Sequence, residues 1–372
     1  MKKTPIFDRN KPYNHLPALP LSTDVIDKDI LLKWGIASRA LAELNKNILR
    51  LPNPGMLVNT ITLQEARSSS EIENIFTTED ELYKAISDSV SEAAANPNTK
   101  EVLRYRQALW TGYANISKKH KVDLPTIIKI YQQVKNTRSG IRPPQSQVVI
   151  RRGNSEFRPG EIVYTPPRGL GTIEKKMKNL VDYLNDDGDE MDPLLKMAIA
   201  HYQFEAIHPF SDGNGRTGRI LNLLYLVNTG LLSHPVLYLS KYIIENKSDY
   251  YHNLGAVTQR NSWKPWIIYM LKGVEQTSVY TNNMIDEIIS QMQATLDYGK
   301  GKLKWYSKEI NEALFTQPYI KPKVIGAILG RTSRTTLSKY MSDLVKLKIV
   351  THKQDGKEVY YINTDLVRIL ES

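Results

Sequence analysis

The 372-residue chain contains no cysteine. That excludes disulfides, thiolate zinc sites and a cysteine nucleophile, and it fits a reducing compartment. Long hydrophobic runs are missing too. The longest apolar candidate, Ile220–Val227, falls far short of the roughly 20 residues that a membrane span needs. The N-terminus (Met1, Lys2, Lys3, Thr4, Pro5) is basic but lacks the apolar stretch of a signal peptide, so a cytoplasmic protein with no membrane partner is expected. The chain has no internal repeat, no low-complexity tract, no Gly-x4-Gly-Lys-(Ser/Thr) phosphate loop and no His-Glu-x-x-His zinc pair. Hydrophobic residues make up 41% and charged residues 24%, proportions that argue against wholesale disorder. The length leaves room for two or three domains.

Charge is present in excess of one sign. The formal net charge is +11, and its distribution is uneven. Residues Gly301–Ser372 hold 13 Lys+Arg against 7 Asp+Glu, so +6 sits on this final segment and only +5 on the rest. A concentrated positive field favours polyanions such as DNA, RNA or nucleotides; the alternative is a merely solvated basic face.

Periodicity and turn chemistry predict a mostly α-helical protein. Pro5, Pro12, Pro17 and Pro20 make the first 30 residues an extended arm. Helical spacing is expected over Ile30–Leu51, Asn59–Ser70, Thr78–Ala94, Lys100–Lys118 and Thr126–Lys135, with Asn96-Pro97-Asn98-Thr99 as a loop. The pattern breaks over Arg142–Gly169, where Val148-Val149-Ile150, Gly153-Asn154 and Ile162-Val163-Tyr164 predict a β-hairpin. Helices resume at Ile173–Leu184, Pro193–Glu205 (with Asp192 as N-cap), Thr217–Val227, Ser248–Gln259 and Trp263–Ser290.

The chemistry concentrates in His208-Pro209-Phe210-Ser211-Asp212-Gly213-Asn214-Gly215-Arg216-Thr217-Gly218-Arg219, which joins two predicted helices. Gly213, Asn214 and Gly215 let the backbone turn tightly before a helix, whose free N–H groups and dipole attract an anion. Arg216 and Arg219, three apart, add two forks suited to phosphate oxygens. Asp212 supplies a hard carboxylate oxygen beside this nest, which suits Mg²⁺ shared with phosphates. His208 can take a proton from an incoming nucleophile. Phe210 is apolar, and its natural place is as an anchor in the core. Each part alone is commonplace; together they describe a phosphoryl- or nucleotidyl-transfer site.

The run also resembles, at every fixed position, the signature of the Fic family, His-x-Phe-x-(Asp/Glu)-Gly-Asn-Gly-Arg-x-x-Arg. The resemblance extends over roughly Lys100–Gly273 and implies AMP transfer from ATP to Tyr, Thr or Ser hydroxyls of target proteins, with release of pyrophosphate. It implies His208 as the base, Asp212 as holder of Mg²⁺ or Mn²⁺, and Gly213, Asn214, Gly215, Arg216, Thr217, Gly218 and Arg219 around the ATP phosphates. The hairpin Gln147–Pro167 is similar to the family's flap, which aligns a target segment by strand addition. Asp249-Tyr250-Tyr251-His252 resembles the family's aromatic segment near the base, with Tyr251 as the contact. A Gly-Asn-Gly centre argues against the Doc-like kinase branch; the loop alone does not discriminate phosphocholine transfer.

Two further segments carry expectations. Ser69-Ser70-Glu71-Ile72-Glu73-Asn74 resembles the family's inhibitory motif, (Ser/Thr)-x-x-x-Glu-(Gly/Asn), which implies that Ser69, Glu73 and Asn74 form a brake in which Glu73 occupies Arg219. Asn311–Ile369 reads as a winged helix. It has a short helix at Lys323–Leu329, a turn at Gly330-Arg331-Thr332 and a longer helix from Ser333 to about Lys348 bearing Leu337, Met341, Leu344 and Leu347. A hairpin about Asp355-Gly356 follows. Arg331, Arg334, Lys339, Lys353 and Lys357 are its candidate phosphate contacts, and DNA, a partner protein or a second copy of the chain in a homodimer are its candidate ligands.

The expected fold is therefore mainly α: an N-terminal helical region (1–99), a Fic-type core with one β-hairpin flap (100–290), and a linker helix with a winged-helix domain (291–372). The function expected is a self-inhibited protein adenylyltransferase. The rival reading is a DNA-binding regulator that uses the core as a nucleotide sensor.

Overall fold

A computed structural model describes residues 7–371 apart from 23–24, 52–53, 88, 120, 154–159, 189 and 331–332. The first helices are α1 (Lys28–Ile48), α2 (Pro54–Ile72), α3 (Glu79–Ile86), α4 (Ser89–Ala94), α5 (Pro97–Lys119) and α6 (Leu124–Lys135). Two short antiparallel strands follow, β1 (Ile150–Arg152) and β2 (Glu161–Tyr164), with Ile150 opposite Tyr164 and Arg152 opposite Glu161. The central helices are α7 (Thr172–Leu184), α8 (Pro193–Ile207), α9 (Asn214–Asn228), α10 (Leu239–Glu245), α11 (Lys247–Arg260) and α12 (Trp263–Lys302). The chain closes with α13 (Lys308–Leu314), β3 (Tyr319–Ile320), α14 (Pro322–Ile328), α15 (Arg334–Lys346), β4 (Thr351–Asp355), β5 (Glu358–Ile362) and α16 (Thr364–Glu371).

Local chemistry accounts for most boundaries. Asp192 accepts the Leu194 N–H at 2.8 Å and Pro193 opens α8, so the expected cap is present. Three expectations need correction. Thr78–Ala94 is two helices rather than one, although Thr78 starts the first with a full capping box to Glu81. Asn96-Pro97-Asn98-Thr99 is a helix start rather than a loop: Asn96 accepts the Thr99 N–H at 2.8 Å, and Pro97 is the first helical residue of α5. The helix expected over Trp263–Ser290 runs on to Lys302.

Helix α8 is buried on nearly its whole circumference, and α9 packs beside it with Ile220, Leu223, Leu224 and Leu226 fully enclosed. These two helices lie in the core, so both ends of the loop between them are anchored there. The N-terminal arm, from residue 7 onward, lies against the hairpin's return: Tyr13 N–H donates to Thr165 O at 3.0 Å, and Thr165 Oγ1 donates to Arg9 O at 2.6 Å. Pro5 and the hairpin turn at Asn154 lie outside the described residues.

In the C-terminal unit the expected hairpin is joined by a third strand, giving the order β3-β5-β4. Met341 and Leu344 are buried, Leu337 and Leu347 partly so. Ser333 stands at the N-cap position of α15 without a side-chain cap bond, and Arg331 and Thr332 lie outside the described residues. Among the described residues no helix is long and apolar enough to cross a membrane.

Candidate active site

Helix α8 ends at His208, whose φ of 50° places it in the left-handed region that side-chain-bearing residues rarely adopt. The turn that follows is braced from inside. Phe210 is fully buried and stacks on Tyr131 with ring centroids 3.9 Å apart. Asn214 clamps the turn twice, accepting the Phe210 N–H and donating to Phe210 O, both at 2.9 Å. Gly213 has φ of 76°, which a side chain would strain, and a Cβ there would also meet Lys135 at 2.9 Å. Asn214 and Gly215 then open α9, where backbone N–H groups lack intrahelical acceptors.

Both arginines of the loop are buried, and each faces a carboxylate from a distant helix. Arg216 Nη1 meets Glu101 of α5 at 2.5 Å. Arg219, 2% exposed, meets Glu73 at 2.8 Å. Ser69 supports that pair through two further acceptors: its Oγ takes Arg219 Nε at 2.8 Å and its backbone carbonyl takes Nη2 at 2.9 Å. Glu73 follows the last turn of α2, which stops because Asn74 turns left-handed (φ 62°) and Lys247 caps the Ile72 carbonyl at 2.6 Å. The three residues expected to form a brake thus meet Arg219 directly or fix the helix end that presents Glu73. Burial acts to raise the Glu73 carboxyl; the Arg219 guanidinium outweighs it and holds the group below its ordinary range.

Burial pushes the His208 imidazole down to about 4, and the Arg142 charge adds to the effect. The ring is therefore neutral near pH 7 and can accept a proton. Arg142, 2% exposed, was not foreseen as a site residue. Nor was Glu205, one turn before His208, whose buried carboxyl is raised to about 7 by desolvation. Lys135, a third unforeseen member, holds Asp212 at 2.6 Å.

Asp212 remains 69% exposed, and its Oδ1 accepts the Gly213 N–H at 2.6 Å. Among the described residues no group of three or more His, Cys, Asp or Glu side chains is arranged to hold a metal. One exposed carboxylate suits a Mg²⁺ ion whose remaining ligands are phosphate oxygens and water, so the residues fit a metal that arrives with a nucleotide.

Two loop residues turn inward. Thr217 is fully buried and donates its Oγ1–H to Gly213 O at 2.9 Å, while its own amide is taken by the same carbonyl at 3.1 Å. Gly218 lies against α8, where a Cβ would meet Phe204 at 2.9 Å. Both contribute to the packing of the loop. Tyr251 stands edge-on to Tyr250 at 5.2 Å and stays 41% exposed, while Tyr250 is buried and bonded to His201 at 2.9 Å. Glu73 and Arg219 both act electrostatically on the Tyr251 hydroxyl, which places it in the field of the same site.

Three family models match the chain: "Fic/DOC family N-terminal" over residues 31–114, "Fic/DOC family" over 121–226, and "Protein adenylyltransferase SoFic-like, C-terminal domain" over 284–366. Among curated relatives, Protein adenylyltransferase fic-1 of Caenorhabditis elegans is 31% identical over 143 residues, which is 38% of this chain and 26% of that protein. Protein adenylyltransferase Fic of Drosophila willistoni is 29% identical over 163 residues, 42% of this chain and 31% of that one. The chain thus spans less than a third of the length of these relatives. A solved Fic family protein from Desulfovibrio desulfuricans G20 superposes with a TM-score of 0.55 at 19% identity, covering 91% of this chain and 97% of that one. A segment of Fic-1 from C. elegans gives 0.51 at 19%, covering 68% and 71%. At these identities the two structures speak for the fold. The two Fic/DOC models together cover more than half of the 372 residues, and the chain belongs to the Fic/DOC family.

Proposed function

We propose that the chain is a self-inhibited protein adenylyltransferase. The observation that carries this reading is the occupation of Arg219 by Glu73 at 2.8 Å, inside a loop otherwise built for a polyphosphate. A carboxylate on that guanidinium puts negative charge where a terminal phosphate would sit. ATP then enters without its productive contacts. With Glu73 withdrawn, Arg219 and the first amides of α9 receive the phosphates, and Tyr251 stands where a base can stack. His208, neutral at pH 7, takes the proton of a Tyr, Thr or Ser hydroxyl on the target. The hydroxyl oxygen forms a bond to the α-phosphorus, the α–β phosphoanhydride bond breaks, and pyrophosphate leaves. Mg²⁺ or Mn²⁺ at Asp212 would neutralise phosphate oxygens. The hairpin's open edge offers backbone groups to an extended target segment.

The test is Glu73→Gly with labelled ATP. The variant is expected to label itself or a lysate protein with AMP at least tenfold faster than the parent, and to depend on Mg²⁺ or Mn²⁺. Failure to label anything while nucleotide binding persists would overturn the reading.

For the C-terminal unit, residues 291–372, the reading is a winged helix that binds duplex DNA. Its support is the element order α13, β3, α14, α15 and the β4–β5 hairpin, with Arg334, Lys339 and Lys357 exposed. Lys353, also a candidate, is engaged elsewhere, at 2.8 Å from Asp80.

A further inference from the structure

The end of α8 is unusual in how its carbonyls are satisfied. The last carbonyls of a helix have no intrahelical donors. Here the carbonyls of residues 206 and 207, the last of the helix, and of 208 and 209, which follow it, are met among the described residues by Tyr164 and Arg142. Tyr164, at the end of β2, donates its hydroxyl to Ala206 O at 2.7 Å. The Arg142 guanidinium reaches Ile207 O at 3.5 Å through Nη2 and His208 O at 2.8 Å through Nε. The Arg142 backbone N–H donates to Pro209 O at 2.9 Å. Nη2 also donates to Pro167 O at 2.6 Å, at the foot of the hairpin. Among the described residues this guanidinium has no ion-pair partner; its bonds go to backbone carbonyls, at a helix C-terminus where a cation is favoured.

We propose that Arg142 is a positioning residue that locks His208 in its left-handed backbone conformation and ties it to the foot of the hairpin, so that the base and the docked target share one frame. The inference rests on the adenylyltransferase reading for its kinetic consequence but not for its structural one. Two features make it more than packing. His208 carries a strained φ of 50°, which must be imposed by its surroundings, and Arg142 bonds both the residue's own carbonyl and those beside it. Arg142 also supplies a positive charge beside the ring. Glu73 and Asp212 favour protonation of that ring; burial opposes them most, and the Arg142 charge adds to it.

The experiment compares Arg142→Gln and Arg142→Lys in the Glu73→Gly background, with melting curves to confirm folding. Arg142→Gln is expected to lower kcat by about 100-fold, the scale of a misplaced reacting group, with the KM for ATP little changed and the acid limb of the pH–rate profile moved upward. Arg142→Lys keeps the charge but loses the fork. It should recover part of kcat and leave the acid limb where it was. Unchanged kcat in a folded Gln or Lys variant, or a loss expressed mainly as a higher KM for ATP, would overturn the proposal. If the Gln variant does not fold, the Lys variant decides by the same two criteria. The imidazole NMR titration of His208 separates this inference from the function. A raised midpoint in Arg142→Gln supports it even if the Glu73→Gly parent transfers no AMP, and an unmoved midpoint rejects it.

Discussion

Glu73 and Arg219 form an asymmetric pair, and the asymmetry governs what each substitution does. Arg219 is 2% exposed and bonded to Ser69 as well, whereas the Glu73 side chain is 34% exposed. Removing Glu73 leaves a guanidinium that is still held by Ser69. Removing Arg219 leaves a carboxylate beside the proposed phosphate site and takes this donor from Ser69. Arg219→Ala is therefore expected to be nearly inactive, and Glu73→Gly combined with Arg219→Ala to fall well below Glu73→Gly alone. Initial rates of AMP incorporation decide this; an Arg219→Ala variant as active as Glu73→Gly would remove the arginine from the phosphate site. The stability loss in Arg219→Ala should stay below the roughly 3–5 kcal/mol of a fully buried pair, because water partly screens Glu73. The pH sign is also fixed. The folded Glu73 carboxyl lies below its ordinary 4.5, so the pair's contribution is present above that value and is lost only as pH falls through the lowered one. Mild acid, between about pH 5 and 6, is not expected to break the Glu73–Arg219 pair.

At the scale of elements, the question is what holds α2 in place, since its end presents Glu73. Glu65, Ser69 and Glu73 are spaced by four, which sets them along one face of this segment. Glu65 is buried and accepts the Ser240 N–H at 2.8 Å, the Ser240 hydroxyl at 2.5 Å and the Tyr105 hydroxyl at 3.0 Å, pinning α2 to α10 and α5. Desolvation raises its carboxyl from 4.5 to about 7. A raised carboxyl contributes stability that is fully present below 4.5 and is lost as pH rises through about 7. Glu65→Gln, neutral throughout, should flatten the fall of Tm over that window; an unchanged slope would assign the titration to another group. Glu65→Ala leaves buried donors unmet, at about 1–3 kcal/mol each, and should raise basal AMP transfer above the parent but below Glu73→Gly. None of this was legible in the sequence. The loop His208–Arg219 was readable because its parts are contiguous and each residue type announces its chemistry. Glu65, Glu101, Lys135 and Arg142 were not, because each acts on a residue far away in the chain, and only the packed core makes them neighbours. The misread segment Asn96–Thr99 failed for a local reason: Asn and Pro open helices as readily as they make turns, and the two uses look alike without the downstream contact.

On the scale of the whole molecule, the basic C-terminal unit is seated on the segment that follows Glu73. Asp80 of α3 accepts from Lys353 at 2.8 Å and from the Tyr319 hydroxyl at 2.6 Å, while Lys84 donates to Asp355 at 2.5 Å. Beneath them Tyr83 packs on Tyr319 at 5.7 Å, and Gln64 of α2 donates to the Tyr83 hydroxyl at 2.8 Å. The exposed ion pairs contribute little each; the aromatic layer is what joins the two regions. This seating divides the basic residues into two sets. Arg334, Lys339 and Lys357 are exposed, whereas Lys353 already has a carboxylate. If duplex DNA is the ligand, each phosphate contact adds about −0.9 to the slope of log affinity against log salt. Lys339→Ala and Lys357→Ala should then each make the slope shallower by nearly that amount when they contact the backbone. Lys353→Ala should change it less, because its charge must first leave Asp80. The measurement is fluorescence anisotropy of the full chain with a labelled duplex across a salt series. Equal slope losses at Lys353 and Lys357 would mean that the β4–β5 hairpin detaches from α3 on binding, which would put DNA in direct competition with the seat near α2. No binding at low salt would remove DNA as a ligand and leave the positive tail with a protein partner.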